Sequence, residues 1–571
     1  MSIKNNLYPV RDTKDLKTML RECAELYGNK EAFLVKVNKG GEYREISYKK
    51  FKDDVDSLGT KLMEMGMSGK KIAIIGLNSY QWVVAYFAVI CGVGIAVPLD
   101  KELKEEEVKN LVEISQCSAA FSSPKFLSYF ENSSVKEVYE IDMYENPLSV
   151  KPGDKHIQNL IDDGRKLIES GDMTFLNAKI DEDKMTEILF TSGTTGRPKG
   201  VMLSHKNLLH VVKSTSQIVN LSTEDRTLSL LPIHHTFEST LGILTILYQG
   251  ASTAFCEGLK YILKNMMEAK ISVLVAVPLI VETIYNKIWK EAEKSRKSGA
   301  LRKAISLNRT LKTFGIDKSD KIFKSVYKNF GGRFRTVICG AAAINPNVVK
   351  GFLDMGFTFL QGYGLTETAP LAAGTPDFVN VGKKPGSCGP AIPGVEIKIE
   401  EKDEDGIGEI YLKGDNVMLG YYEMPEETAA VLDAEGWFKT GDLGFLDNEG
   451  WLYITGRSKN VIVTNTGKNI YPEEIENLIN NIGIVKDSMV YGLQEEGGND
   501  YIVAVQIIPE YEIIEENKGE LSEEEIYELF REDIYELNKK LPSYKRIKNV
   551  RIRKNDFIRT TTKKIKRQEN L

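Results

Sequence analysis

The chain has 571 residues, 42% of them apolar and 27% charged, with a formal net charge of −6 at pH 7. That length exceeds one ordinary hydrophobic core and predicts two or more domains. The acidic balance excludes non-specific nucleic-acid binding as the main task. Six scattered cysteines (Cys23, Cys91, Cys117, Cys256, Cys339 and Cys388) lack C-x-x-C pairing. They argue for a reducing compartment and against a disulfide framework or a zinc site.

Residues 1–15 lack the apolar core of a signal peptide. The longest uncharged apolar run, 82–97, is shorter than the ~20 residues of a membrane span and is interrupted by Gly92 and Gly94. It reads as a buried helix turning into a buried strand. The expected location is cytoplasmic, with contact at the inner membrane face left open.

In chain order, 12–26 has helical periodicity, and 31–37 with 42–47 form a strand pair around the turn 38–41. An amphipathic helix over 48–67 precedes a buried strand at 71–76. A helix-to-strand unit follows at 80–99, and another helix at 105–116. This rhythm predicts largely parallel sheets covered by helices. It resumes with a helix at 206–220 and strands at 227–231, 271–277, 333–340 and 357–363, while 282–330 is basic and mostly helical. From about 389 to 456, short strands between Gly, Asp and Pro turns predict a small β subdomain. Residues beyond 460 predict a smaller α+β domain, with helices at 473–479 and 522–541 and strands at 487–491 and 501–508. The acidic run 512–525 reads as a solvated face.

The stretch with the most chemistry is 191–200, TSGTTGRPKG, flanked by two strand-like runs. Thr191, Ser192, Thr194 and Thr195 supply hydroxyls, and Gly193 and Gly196 let the backbone bring N–H groups close to an anion. Lys199 adds a cation. The loop reads as a polyphosphate grip, weighed against a plain flexible loop. It does not have G-x-x-x-x-G-K-[ST] spacing. A second stretch, Gln361-Gly362-Tyr363-Gly364-Leu365-Thr366-Glu367-Thr368, combines a tight turn with an aromatic face, a hydroxyl and a carboxylate. Those groups suit a base, a phosphate and a hard metal ion. The adjacent His234 and His235 follow a strand in LPIHHTFE.

Together TSGTTGRPKG, GYGLTET, the TGD at 440–442 and GRSKNVIVTNTGKNIYPEEIE at 456–476 resemble the acyl-adenylate-forming enzymes. The resemblance runs from about residue 15 to the C-terminus. It implies an N-terminal AMP-binding domain over 1–457, a hinge at 458–460 and a mobile C-terminal lid over 461–571. It also implies two half-reactions with ATP, Mg²⁺ and CoA: a carboxylate attacks the α-phosphate to give acyl-AMP and pyrophosphate, then a thiol displaces AMP. By position, the 191–200 loop would hold the β- and γ-phosphates, with Thr191 and Glu367 placing the metal. Gly340-Ala341-Ala342 and Gly362-Tyr363 would sandwich adenine. Thr366 would donate to the α-phosphate, and Asp442 and Arg457 would hold the ribose. His235 would line the acyl and adenylate site. Lys459 fits the hinge, and Gly467 and Lys468 would face the thiol channel.

In FIRTTTKKIKR (557–567), alignment on the final K-R places the lysine of the adenylating state at Lys564, with Lys563 where glycine is usual. The helical insertion before GGRFR and the LPIHHTFE run resemble the long-chain fatty acyl-CoA synthetase branch, so a medium- or long-chain fatty acid is expected. An acyl-carrier-protein acceptor, an aryl acid and a catalytically silent adenylate-binding protein are the alternatives. The oligomeric state is left open. The 191–200 loop is expected to be mobile without nucleotide.

Overall fold

The computed structural model describes residues 6–144, 150–191, 198–379, 381–463, 468–494, 501–559 and 565–571. Its internal contacts divide the chain into two compact units. The first comprises 1–341, 348–396 and 412–438; the second comprises 342–347, 397–411 and 439–571.

The first unit is built on two sheets. One has eight strands in the order Ala373–Gly374, Thr358–Tyr363, Thr336–Cys339, Val273–Ala276, Arg226–Ser229, Ser252–Phe255, Glu31–Lys36 and Tyr43–Ser47. Its middle is parallel, and each edge is closed by an antiparallel partner. The other has seven strands, Gly420–Tyr421, Lys199–Ser204, Met185–Thr191, Ile95–Leu99, Lys71–Ile75, Ala119–Ser122 and Glu137–Glu140. Here Met185–Thr191 and Lys199–Ser204 form an antiparallel pair beside the parallel strands. Central strands such as Val273–Ala276 are apolar and buried along their whole length, as strands covered on both faces must be.

Helix Tyr48–Glu64 starts where the Ser47 hydroxyl accepts the Lys50 N–H, satisfying one of the free donors of the first turn. Helix Tyr80–Ala88 is apolar all round and buries every residue from Trp82 to Ala88. It runs through the π-turn Val89–Val93 into strand Ile95–Leu99, the expected buried helix-to-strand passage. Gly94 permits this close approach, because a Cβ there would lie 2.0 Å from the Lys70 carbonyl oxygen. Helix Ile157–Glu169, not among the elements expected above although Ile157, Leu160 and Ile161 mark one apolar face, packs on Tyr48–Glu64 through Gly164; a Cβ at Gly164 would meet the Ser57 carbonyl at 1.8 Å. The insertion contains helices Pro278–Lys294 and Ser298–Thr313 and two short helices, Ser319–Ile322 and Lys324–Lys328.

In the second unit, segments 451–457, 439–446, 408–411 and 397–400 lie side by side in one sheet. A three-stranded sheet follows: Val485–Gln494 pairs antiparallel with Tyr501–Pro509, which pairs parallel with Ile547–Ile552. Helices Pro472–Ile479 and Glu523–Asn538 cover it, with Ile475, Ile479, Val490, Val505, Ile507 and Phe530 forming the core. The fold is mixed α/β throughout. Among the described residues no helix is long and apolar enough to cross a membrane, and none of the six cysteines is joined in a disulfide.

Candidate active site

Ligands of open α/β sheets bind beyond the carboxyl ends of the strands, and most of the predicted residues of the first unit lie at such ends. Strand Thr358–Tyr363 runs into Gly364, where a Cβ would come within 1.9 Å of the Pro370 carbonyl oxygen. The chain therefore folds back tightly into the short turn Thr366–Thr368. Thr368 closes it, its hydroxyl accepting the Leu365 N–H at 2.9 Å and donating to the Leu365 carbonyl at 3.0 Å. Thr366 and Glu367 are left half-buried on this turn.

Glu367 accepts the Tyr421 hydroxyl on Oε1 at 3.0 Å, and its carbonyl accepts the Met418 N–H at 2.9 Å. Tyr421 sits on the two-residue strand Gly420–Tyr421, antiparallel to Met202 and Val201. Lys199 places its ammonium 4.6 Å from the centre of the Tyr421 ring, a cation–π distance. Thr191 pairs with Lys199 across the hairpin, and its hydroxyl donates to the Lys199 carbonyl at 3.4 Å. Thr191, Lys199, Tyr421 and Glu367 thus form one continuous contact chain. Burial, then the Glu367 charge, raises the Tyr421 pKa and keeps its hydroxyl a donor. Tyr421 is the residue that sequence reasoning missed. The only local signal is Gly420, whose φ of +137° favours glycine.

Gly340 ends strand Thr336–Cys339. A Cβ there would lie 3.2 Å from the Phe237 ring and 3.3 Å from the Gly362 carbonyl, so Gly340, Gly362 and Phe237 meet at one point. Ala341 follows with a φ of +71°, a sparsely populated conformation for a residue with a Cβ. Ala342 opens the 342–347 segment assigned to the second unit. Tyr363 is buried, and the Gln361 amide donates to the Ser387 carbonyl at 3.2 Å.

The two histidines have different partners. His234 Nε2 lies 3.5 Å from Asp100 Oδ2; burial lowers its pKa and Asp100 acts against that. His235 Nδ1 accepts the Phe237 N–H at 3.2 Å, which assigns the proton of the neutral ring to Nε2.

In the second unit, Asp442 and Arg457 are cross-strand partners, with Arg457 Nε 2.7 Å from Asp442 Oδ1. Asp442 is buried, and its N–H donates to the Thr440 hydroxyl at 3.0 Å. Desolvation first and then Arg457 lower the Lys459 pKa, with Asp442 opposing. Lys468 reaches Glu404 at 2.6 Å on an exposed face. Ser192, Gly193, Thr194, Thr195, Gly196, Gly467, Lys563 and Lys564 lie outside the described residues, as does most of the loop expected to be mobile. Beside the 560–564 segment, Arg559 and Ile565 form an antiparallel bridge, and Arg567 is held by Glu473, Glu476 and the Val490 carbonyl.

No group of three or more His, Cys, Asp or Glu side chains able to hold a metal occurs among the described residues. Thr191 and Glu367 offer a hydroxyl and a carboxylate, hard oxygen donors of the kind Mg²⁺ takes when phosphate and water complete its shell.

Two helix-covered, largely parallel sheets with hydroxyl, carboxylate and ammonium groups at glycine-rich strand ends define a nucleotide-binding α/β enzyme. The chain belongs to the AMP-binding enzyme family, whose model matches residues 20–422, and the model of the AMP-binding enzyme C-terminal domain matches 459–571. It is 30% identical over 505 residues to long-chain-fatty-acid–CoA ligase 5 of Rattus norvegicus, covering 82% of this chain and 72% of that protein. It is 27% identical over 552 residues to the chloroplastic long-chain-fatty-acid–[acyl-carrier-protein] ligase AEE15 of Arabidopsis thaliana, covering 84% and 75%. A crystal structure of an anthranilate CoA ligase in complex with anthranoyl-AMP superposes with a TM-score of 0.77 at 19% identity, covering 100% of this chain and 98% of that one. That likeness concerns the fold.

Proposed function

We propose that the protein is an AMP-forming acid–thiol ligase that activates a medium- or long-chain fatty acid and transfers the acyl group to CoA. The observation that carries this reading is the Thr191–Lys199–Tyr421–Glu367 chain. It puts a cation, hydroxyls and a carboxylate at the mouth of the 191–200 loop. In the first half-reaction a carboxylate oxygen bonds to the α-phosphorus, the bond to the bridging oxygen breaks, and pyrophosphate leaves. In the second, a thiol sulfur bonds to the acyl carbon, the thiol proton goes to solvent, and AMP leaves.

Negative charge accumulates at phosphorus in the first step, so donors and cations fixed around it lower the barrier. Lys199 and the loop hold the terminal phosphates, Thr366 donates to the α-phosphate, and Lys564 bridges the carboxylate and the α-phosphate. Gly340-Ala341-Ala342 and Gly362-Tyr363 sandwich the adenine. Asp442, steered by Arg457, accepts from the ribose hydroxyls. His235 orients the acyl carboxylate. Mg²⁺, held by Thr191 and Glu367, would offset polyphosphate charge. Between half-reactions the 461–571 domain turns about Lys459 and brings Gly467 and Lys468 to the thiol.

A fatty acid is favoured by the identity with the rat ligase. An acyl carrier protein is the alternative acceptor, supported by the Arabidopsis relative, and acceptor competition separates the two. ATP–pyrophosphate exchange across chain lengths tests the substrate: exchange should be fastest with a medium or long fatty acid, and a maximum with acetate or benzoate would overturn that assignment.

A cytoplasmic enzyme in peripheral contact with the inner membrane face is part of the same reading. Residues 278–330 carry thirteen Lys and Arg against five Asp and Glu, opposite in sign to the whole chain. Leu307, Phe314 and Ile316 are exposed on the same stretch.

A further inference from the structure

Glu238 closes the LPIHHTFE run and has no part in the chemistry above. It lies in the π-helix Phe237–Leu244, which starts directly after the turn that carries His235. Its side chain is 1% exposed, and neither carboxyl oxygen has a hydrogen-bond partner among the described residues. The carboxyl lies back along its own helix: a Cβ on Gly242 would sit 3.0 Å from the Glu238 carboxyl carbon. Its polar neighbours are the Ser229 side chain and the Leu231 backbone. Asn78 holds both, donating to Ser229 Oγ at 2.9 Å and to the Leu231 carbonyl at 2.7 Å.

Those neighbours form the entry of the turn Pro232–His235, and Glu238 itself fixes the exit. Its N–H donates to the His235 carbonyl at 2.9 Å, as the Ser239 N–H does at 3.0 Å, while the His235 N–H donates to the Pro232 carbonyl at 3.0 Å. We propose that Glu238 is a positioning residue for His235: protonated, its side chain braces the entry of the turn whose exit its backbone holds, and loss of that proton releases the turn. The inference rests on the reading that His235 faces the reacting carboxylate.

An ionised carboxyl is costly in such a buried place even with the Ser229 hydroxyl and the Leu231 backbone near it, whereas the acid form both donates and accepts. Burial pushes Glu238 up to about 8, with Ser229 and Leu231 acting against the rise. The charged and titratable groups on the packed elements are committed elsewhere: Arg226 to Glu31 and Glu45, Lys206 to Asp183 and Asp415, Tyr248 to the Arg11 backbone. On helix His205–Ile218, His205 accepts the Leu16 N–H, His210 faces Ser214, and Lys213 donates to the Thr13 carbonyl. The Cys256 thiol, itself pushed up to about 11 by burial, is the titratable neighbour, and it supplies no positive charge.

The test is a pH titration of the full chain with ring-labelled histidine, His235 being assigned by its absence in His235→Gln. The His235 resonance should step near pH 8 in the wild type and stay level in Glu238→Gln. In parallel, pyrophosphate exchange by Glu238→Gln should stay within threefold of wild type at pH 7 and persist above pH 8.5, where the wild type falls. Glu238→Ala should lose tenfold or more at every pH. Absence of the step in the wild type, or an equal step in Glu238→Gln, overturns the proposal even if the glutamine variant is poorly active. A step that depends on Glu238 without any matching change in exchange would instead overturn the role given to His235.

Discussion

Glu187 shows at the residue scale how burial alone sets a chemical state. It is fully buried on strand Met185–Thr191, with Oε2 accepting the Tyr86 hydroxyl at 2.8 Å and Oε1 without a partner among the described residues. Desolvation pushes it from 4.5 up to about 7, and Tyr86 acts against the rise. A carboxyl raised in the folded state contributes stability that is complete below its unfolded pKa and is lost as pH climbs through about 7. Glu187→Gln should therefore gain stability relative to the wild type as pH rises from 5 to 8, by about 3 kcal/mol at most, read as a widening Tm gap. A gap that does not widen with pH would contradict this. At the candidate site, Tyr421→Phe removes the hydroxyl that Glu367 accepts, and should cut kcat/KM for adenylation roughly tenfold with little change in Tm. Unchanged exchange kinetics would remove Tyr421 from the site. Glu367, Thr366 and Lys199 were legible in the sequence because glycines and hydroxyls surround them. Tyr421 was not, because only its pairing with Met202 and Val201 brings it there.

At the scale of elements, the strand ends act as rigid mounts. Gly364 is the clearest case, since the atom a Cβ would meet at 1.9 Å is backbone and cannot rotate away. Gly364→Ala should lower soluble yield or reduce adenylation at least a hundredfold, and wild-type exchange in that variant would show that the turn is not fixed. Elements with strong periodicity were read correctly from the sequence, among them the helix at 48–67 and the strands at 71–76 and 271–277. Their apolar runs are long, and their ends carry caps or glycines. Strand Ile547–Ile552 has no clear signal in the sequence, because its Lys and Arg face solvent and Ile547 alone is fully buried. Its strand character comes from pairing with Tyr501–Pro509, a partner almost forty residues away in the chain.

For the whole molecule, the order of strands is what sequence pattern could not supply. The largest sheet places Glu31–Lys36 beside Ser252–Phe255, a pairing that spans most of the first unit. Charge distribution, in contrast, was legible directly. Residues 278–330 are strongly basic in an acidic chain, and Phe314 there is 76% exposed. Such a surface suits anionic lipid, where basic side chains contribute about 1 kcal/mol each near the bilayer and apolar side chains anchor. The full chain should co-sediment with vesicles containing phosphatidylglycerol, weaken with salt, and lose binding on Phe314→Glu with Ile316→Glu. Equal affinity for neutral vesicles, or a preference for RNA over vesicles, would contradict the membrane assignment.

We propose that this AMP-binding enzyme joins a medium- or long-chain fatty acid to CoA through an acyl adenylate. The most direct measurement is mass analysis after incubation with a mixture of carboxylic acids, ATP, Mg²⁺ and CoA. Medium- or long-chain acyl-CoA should form with equimolar AMP and pyrophosphate, and Lys564→Ala should abolish acyl-AMP formation while largely sparing thioester formation from supplied acyl-AMP. Release of ADP and phosphate, acyl-CoA from acetate or benzoate alone, or equal loss of both half-reactions in Lys564→Ala would contradict it.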